Sequence, residues 1–148
     1  MITILQAVIF FGYLIAVNSR YGVLESISHS TYEWGKRKHW FMAMCWSLAF
    51  LNLFQGMGAW GIATSIGLIM TGIAMDWQGE LYKRITHMVG AVLAISAGLI
   101  GLFFVHGVYL PVLIFCIGIY PIYKATDDFV WWIEVTAVTL ILITYLWI

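Results

Sequence analysis

Charged side chains are scarce in this chain. Seven Lys and Arg and seven Asp and Glu make up 9% of 148 residues, against roughly 25% in a soluble domain. The net charge is zero, so there is no global field to gather a polyanion, and nucleic-acid binding is excluded as a role. There are only two cysteines. Cys45 and Cys116 both lie inside apolar runs, without the paired spacing of a zinc or redox motif, and are expected to be packed, inert thiols. No internal repeat is visible, which removes the usual sequence support for an inverted-repeat transporter. Glycine-rich phosphate loops and nucleophile motifs are missing too.

What is present is apolar sequence, with 63% hydrophobic residues and a mean hydropathy of +0.95. A hydrocarbon layer of about 30 Å needs about 20 apolar residues in a helix. Six segments meet or approach this: 2–17, 39–54, 59–75, 85–105, 108–123 and 129–148. The expectation is one all-α membrane domain, a polytopic bundle of about six transmembrane helices with almost no mass outside the bilayer. The first segment lacks the positively charged start of a secretory signal, and its basic residue, Arg20, follows the run, so it reads as an uncleaved first helix.

The basic residues set the orientation. Loops 18–38, 76–84 and 124–128 hold Arg20, Lys36, Arg37, Lys38, Lys83, Arg84 and Lys124, which is the entire basic complement, while the turns at 55–58 and 106–107 hold no charge. The bias of Lys and Arg toward cytoplasmic loops then places those three loops in the cytoplasm and both termini outside, as in a bacterial-type inner membrane. Trp and Tyr cluster near both ends of the segments, as interfacial anchors do. Small residues at helical spacing, Ala63, Gly67 and Thr71 in one segment and Gly90, Ala94, Gly98 and Gly101 in the next, predict that these two helices form the packed centre.

An ionisable group in or near a span is a functional candidate, because hydrocarbon disfavours it. Three groups qualify, all toward the charged end. Within 18–38, read as an interfacial amphipathic segment, Glu25, His29 and Glu33 share one stripe if the chain is helical there, with Ser26 and Ser28 beside them. That stripe is a surface for a protein partner or a lipid headgroup. Asp76 ends the third segment and His87 begins the fourth, so the two are expected to meet at the cytoplasmic mouth, with Glu80 paired to Lys83 or Arg84. Asp127 and Asp128 precede the last helix and suit its dipole. Glu134 lies about 8 Å inside that helix at about 1.5 Å per residue. A carboxyl at that depth is protonated, paired or facing a polar cavity. Asp76, His87 and Glu134 are therefore the candidate catalytic residues. His39 and His106 share no face with a partner set.

Ser26 or Ser28, His29, Asp76 and His87 together resemble the CREST superfamily of membrane hydrolases, which includes alkaline ceramidases and hemolysin III-like proteins. The likeness covers scattered positions from about 26 to 87. It implies zinc held by His29, His87 and a carboxylate, Asp76 or Glu134, with a metal-bound water attacking a lipid. The chain departs from the family in lacking its late H-x-x-x-H pair, since no His follows His106. The same arrangement also resembles several small bacterial six-helix families of no assigned activity. The residues on their own call for no cofactor.

Three functions follow as expectations: a membrane protein whose polar cytoplasmic-face site binds a partner, an ion or a lipid headgroup; a zinc-dependent membrane lipid hydrolase; and a small channel or transporter subunit, for which Glu134 is the intramembrane ionisable group. The bilayer is the certain partner in all three, and the small-residue faces allow a homo-oligomer.

Overall fold

The computed structural model describes residues 1–35, 39–74 and 79–148. Among these the fold is all-helical, without strands. Helix α1 spans Ile2–Tyr21, a 3-10 turn spans Ile27–His29, and the four-residue α2 spans Ser30–Glu33. The remaining helices are α3 His39–Asn52, α4 Gly58–Ile73, α5 Leu81–His106, α6 Leu110–Ala125 and α7 Phe129–Trp147. The six long helices fall on the six apolar segments. Helices α1, α5 and α7 are long and apolar enough to cross a membrane, and α4 and α6 are shorter apolar helices. The outward faces are apolar as well, with Ile15 68% and Ile117 71% exposed. Water does not tolerate so continuous an apolar surface on a monomer.

The elements sort into two ends. Gln55, in the turn after α3, bonds to Gln6 near the start of α1, and the ring of His106 meets that of Tyr145 edge-on at 5.9 Å. The starts of α1 and α4 and the ends of α5 and α7 therefore share the uncharged end. That end includes the turn at Gly107, whose left-handed φ of +67° closes α5 while its N–H bonds to Phe103 O at 3.0 Å and that of Val108 to Leu102 O at 3.2 Å. This closure uses two of the last carbonyls of α5 and turns the chain sharply. The charged end holds the segment after α1, the end of α4 and the starts of α5 and α7.

Two kinds of packing hold the bundle. Helices α4 and α5 meet through glycine: a Cβ at Gly67 would stand 2.5 Å from Ala94 N and 2.6 Å from Gly90 O. Such backbone contact gives dispersion attraction that lipid chains cannot replace, and the predicted packed centre is there. Helices α1, α3 and α7 instead interlock large side chains, among them Phe10, Val17, Phe41, Met44, Trp131 and Leu142. Helix α6 stands at the edge, with only Pro111 buried. Cys116 on α6 is consequently exposed, contrary to the packed thiol expected, whereas Cys45 is buried.

Residues 22–33 differ from the expected interfacial segment. Gly22, at φ +77°, ends α1, and the chain then turns inward, burying Ser26, Ile27, Ser28, Ser30 and Thr31. Burial is tolerable because the hydroxyls serve the local backbone. Ser26 Oγ accepts the His29 N–H at 3.1 Å, Ser30 Oγ donates to Ile27 O at 2.5 Å, and Thr31 Oγ1 donates to Ser28 O at 2.9 Å. The phenol of Tyr13 on α1 meets Ser30 Oγ at 2.5 Å and anchors the turn to the bundle. A periodicity reading sees the apolar partners of this segment but not that its hydroxyls can replace water.

Candidate functional site

The inward turn is laced to the start of α7. The first N–H groups of a helix have no partner within it, and the third such group in α7, of Trp131, donates to Glu25 O at 3.2 Å. One turn further, Glu134 Oε2 accepts the N–H of Ile27 at 2.7 Å. Glu134 is thus tied to the backbone of the inward turn. Its second oxygen has no hydrogen-bond partner among the described residues.

His87 is buried on the first turns of α5, and its Nδ1 lies 3.2 Å from Thr71 O. A carbonyl only accepts, so Nδ1 carries the proton of this bond. Thr71 belongs to the last turn of α4, where carbonyls lack helical partners, and His87 thus caps α4 from α5. Asp76, the expected companion of His87, lies outside the described residues.

These elements enclose a cavity of about 540 Å³ among α5, α6, α7 and the inward turn. At its charged end it is lined by Glu25, Ser26, Ser28, Arg84, His87 and Glu134; its walls are apolar, as at Val92, Phe115, Ile119 and Ile133. Five residues singled out from the sequence thereby come together: Glu25, Ser26, Ser28, His87 and Glu134. Two others do not. His29 is not part of the lining and reaches it only through Glu25, whose Oε2 is 3.3 Å from His29 Nδ1. Glu33 is exposed at the end of α2, because the stripe that would have joined it to Glu25 and His29 needs a continuous helix and the chain forms one only from Ser30. Glu80 pairs with Lys83 at 3.3 Å, the first of its two expected partners.

A second, smaller cavity of about 110 Å³ lies inside the bundle, and Glu134, Ala91 and Ile95 line both. From Glu134 it passes Thr71 and Thr64 to Asn52, Gln55 and Gln6 near the uncharged end. The amide of Asn52 donates to Gly61 O at 2.9 Å and Ser65 Oγ at 3.3 Å. Sequence reasoning missed Arg84 as a lining residue, having read it for its sign and as one of two partners of Glu80, and it missed the polar row Gln6, Asn52 and Gln55. Gln6 and Asn52 were detectable as amides inside otherwise apolar segments.

Among the described residues no three of His, Cys, Asp and Glu are placed to share a metal ion, so His29, His87 and Glu134 do not make the site that the CREST resemblance implies. No family model, curated protein or solved structure matches the chain.

Proposed function

We propose that the chain is an integral membrane protein of six spans, with the charged end cytoplasmic and both termini outside, and that its larger cavity holds the polar head of a membrane lipid. The support for the topology is the seven-to-none division of basic residues between the two sets of loops. The support for the ligand is a single observation: one cavity sets Ser26, Ser28, Arg84, His87 and Glu134 at the charged end and apolar walls of α5, α6 and α7 beyond them. Hydroxyls and charges fix and orient a head, while the walls take the tail. Peripheral α6 leaves a side on which a lipid can enter from the bilayer.

Native mass spectrometry of the protein released from nanodiscs tests this reading. One lipid is expected to stay bound, and Val92→Trp with Ile119→Trp, which fill the cavity from α5 and α6, should remove it. Equal retention in the filled variant, or no retained lipid in the parent protein, counts against the site.

A zinc-dependent lipid hydrolase is the second reading, favoured by Ser26, Ser28 and His87 lining the same cavity. It needs a ligand beyond the described set, for which Asp76 is the candidate. Stoichiometric zinc in the purified protein, lost in His87→Ala, is its requirement.

A further inference from the structure

Glu134 faces two cavities, and the binding of a lipid head uses only one of them. The interior cavity is lined on α7 from Glu134 to Leu142 and reaches Gln6 and Gln55 at the uncharged end. The larger cavity continues from Glu134 to Arg84 and Glu25 at the charged end. Joined at Glu134, they are lined along α7 from Val130 to Leu142, which at about 1.5 Å per residue is about 18 Å of helix. The hydrocarbon layer is about 30 Å thick.

Polar side chains within such a layer are costly, yet Gln6, Asn52, Thr64, Thr71 and Glu134 all line this one narrow space. Local bonds explain part of the row. Thr64 and Thr71 donate to carbonyls of their own helix, at 2.9 and 2.8 Å, and Gln6 pairs with Gln55. Acceptors are left over besides Gln55 Oε1 near the uncharged end. The second oxygen of Glu134 and the side-chain oxygen of Asn52 have no partner among the described residues, and they belong to opposite parts of the same cavity. A buried water needs two to four polar partners and a share of about 30 Å³, so the cavity of about 110 Å³ suits a short file of waters.

We infer that Glu134 is the proton-carrying group of a path across the membrane. A hydronium ion arriving along the file in the interior cavity gives its extra proton to the free oxygen of the Glu134 carboxylate and is left as water. The carboxyl then gives a proton to water at the charged mouth of the larger cavity, between Arg84, Glu25 and the polar head that the proposed function places there, and that water leaves as hydronium. One proton enters and one leaves, so the step needs no oxidant, reductant or other reactant. The apolar stretches between the polar residues let the file form and break, as hydrophobic constrictions in pores do.

The test is proton flux into liposomes of phosphatidylcholine and phosphatidylglycerol that carry the full chain and a trapped pH-sensitive dye, with valinomycin and potassium clamping the potential. Expected is flux above that of protein-free vesicles, lost in Glu134→Gln, which keeps the acceptor for Ile27 but cannot carry the proton, and retained in Glu134→Asp. Asn52→Leu should lower the flux, and Gly118→Ala on peripheral α6, where a Cβ meets nothing within 4 Å, should not. If Glu134→Gln does not fold, treatment of the unmodified protein with dicyclohexylcarbodiimide, an apolar reagent for carboxyls, replaces it and should abolish the flux. The inference is overturned by flux no greater than in protein-free vesicles, by undiminished flux after loss or modification of the Glu134 carboxyl, or by potassium leakage matching the proton flux without valinomycin.

Discussion

Replacing Gly67 with Ala adds one methyl group at the tightest contact of the fold. The new Cβ would lie 2.5 Å from Ala94 N, 2.6 Å from Gly90 O and 2.9 Å from Ala94 Cα, whereas non-bonded heavy atoms settle at about 3.5 Å or more. All three neighbours are backbone, so no side chain can rotate away. Helices α4 and α5 must separate by about 1 Å along the contact, losing dispersion energy over the whole row. Overpacking of this kind costs about 1–3 kcal/mol. The same displacement carries Thr71 away from His87 and lengthens their 3.2 Å bond, so the damage reaches the cavity wall. Gly12→Ala and Gly118→Ala are the controls, since a Cβ there meets nothing within 4 Å; Ala in a helix interior is favoured over Gly by about 0.5–1 kcal/mol. Equilibrium unfolding in mixed detergent micelles, followed by tryptophan fluorescence, should show Gly67→Ala destabilised and the controls unchanged or slightly more stable. A Gly67→Ala protein as stable as its parent would refute the close-packed centre, and equal losses in the controls would show that glycine matters here for another reason.

Two further outcomes are expected. With both native cysteines replaced, Lys124→Cys should react with an impermeant maleimide only from the cytoplasmic side and Val108→Cys only from outside; the reverse pattern refutes the orientation. Tyr13→Phe removes the bond to Ser30 while Ser30 still donates to Ile27 O, so a loss of about 0.5–1.5 kcal/mol is expected, and no loss in the same unfolding assay would mean that the turn is held without α1.

The helices were legible because apolar length and the spacing of Gly67, Thr71, Gly90 and Ala94 depend on local sequence alone. The depth of Glu134 was legible for the same reason, since rise per residue converts position into distance. Its partner was not. Ile27 is 107 residues away in sequence, and a backbone N–H leaves no mark in composition. The inward turn was misplaced because Val23, Leu24 and Ile27 look alike whether they face lipid or protein, while Ser26, Ser28, Ser30 and Thr31 look like solvent-seeking residues until their local bonds are seen. Arg84 was read for charge, which is additive along a chain, rather than for position, which the packing of α5 against α4 decides.

The bond between Glu134 and Ile27 joins these strands of argument, because the residue that divides the cavities also holds the turn that lines one of them. Glu134→Ala leaves the N–H of Ile27, itself buried, without an acceptor. An orphaned buried donor costs about 1–3 kcal/mol, which is about a fivefold to 150-fold rise in the population of the open turn. Hydrogen exchange at the Ile27 amide should speed up by that factor, with smaller effects at His29, whose N–H is bonded within the turn by Ser26. Glu134→Gln supplies an amide oxygen at the same place and should leave the exchange close to that of the parent. The pair of variants therefore separates two duties of one side chain: Ala opens the turn, whereas Gln keeps it closed and removes only the transferable proton. Equal exchange in Ala and parent would mean that the 2.7 Å contact does not hold the turn, which would then be held by the Trp131 N–H on Glu25 O and by Tyr13 on Ser30.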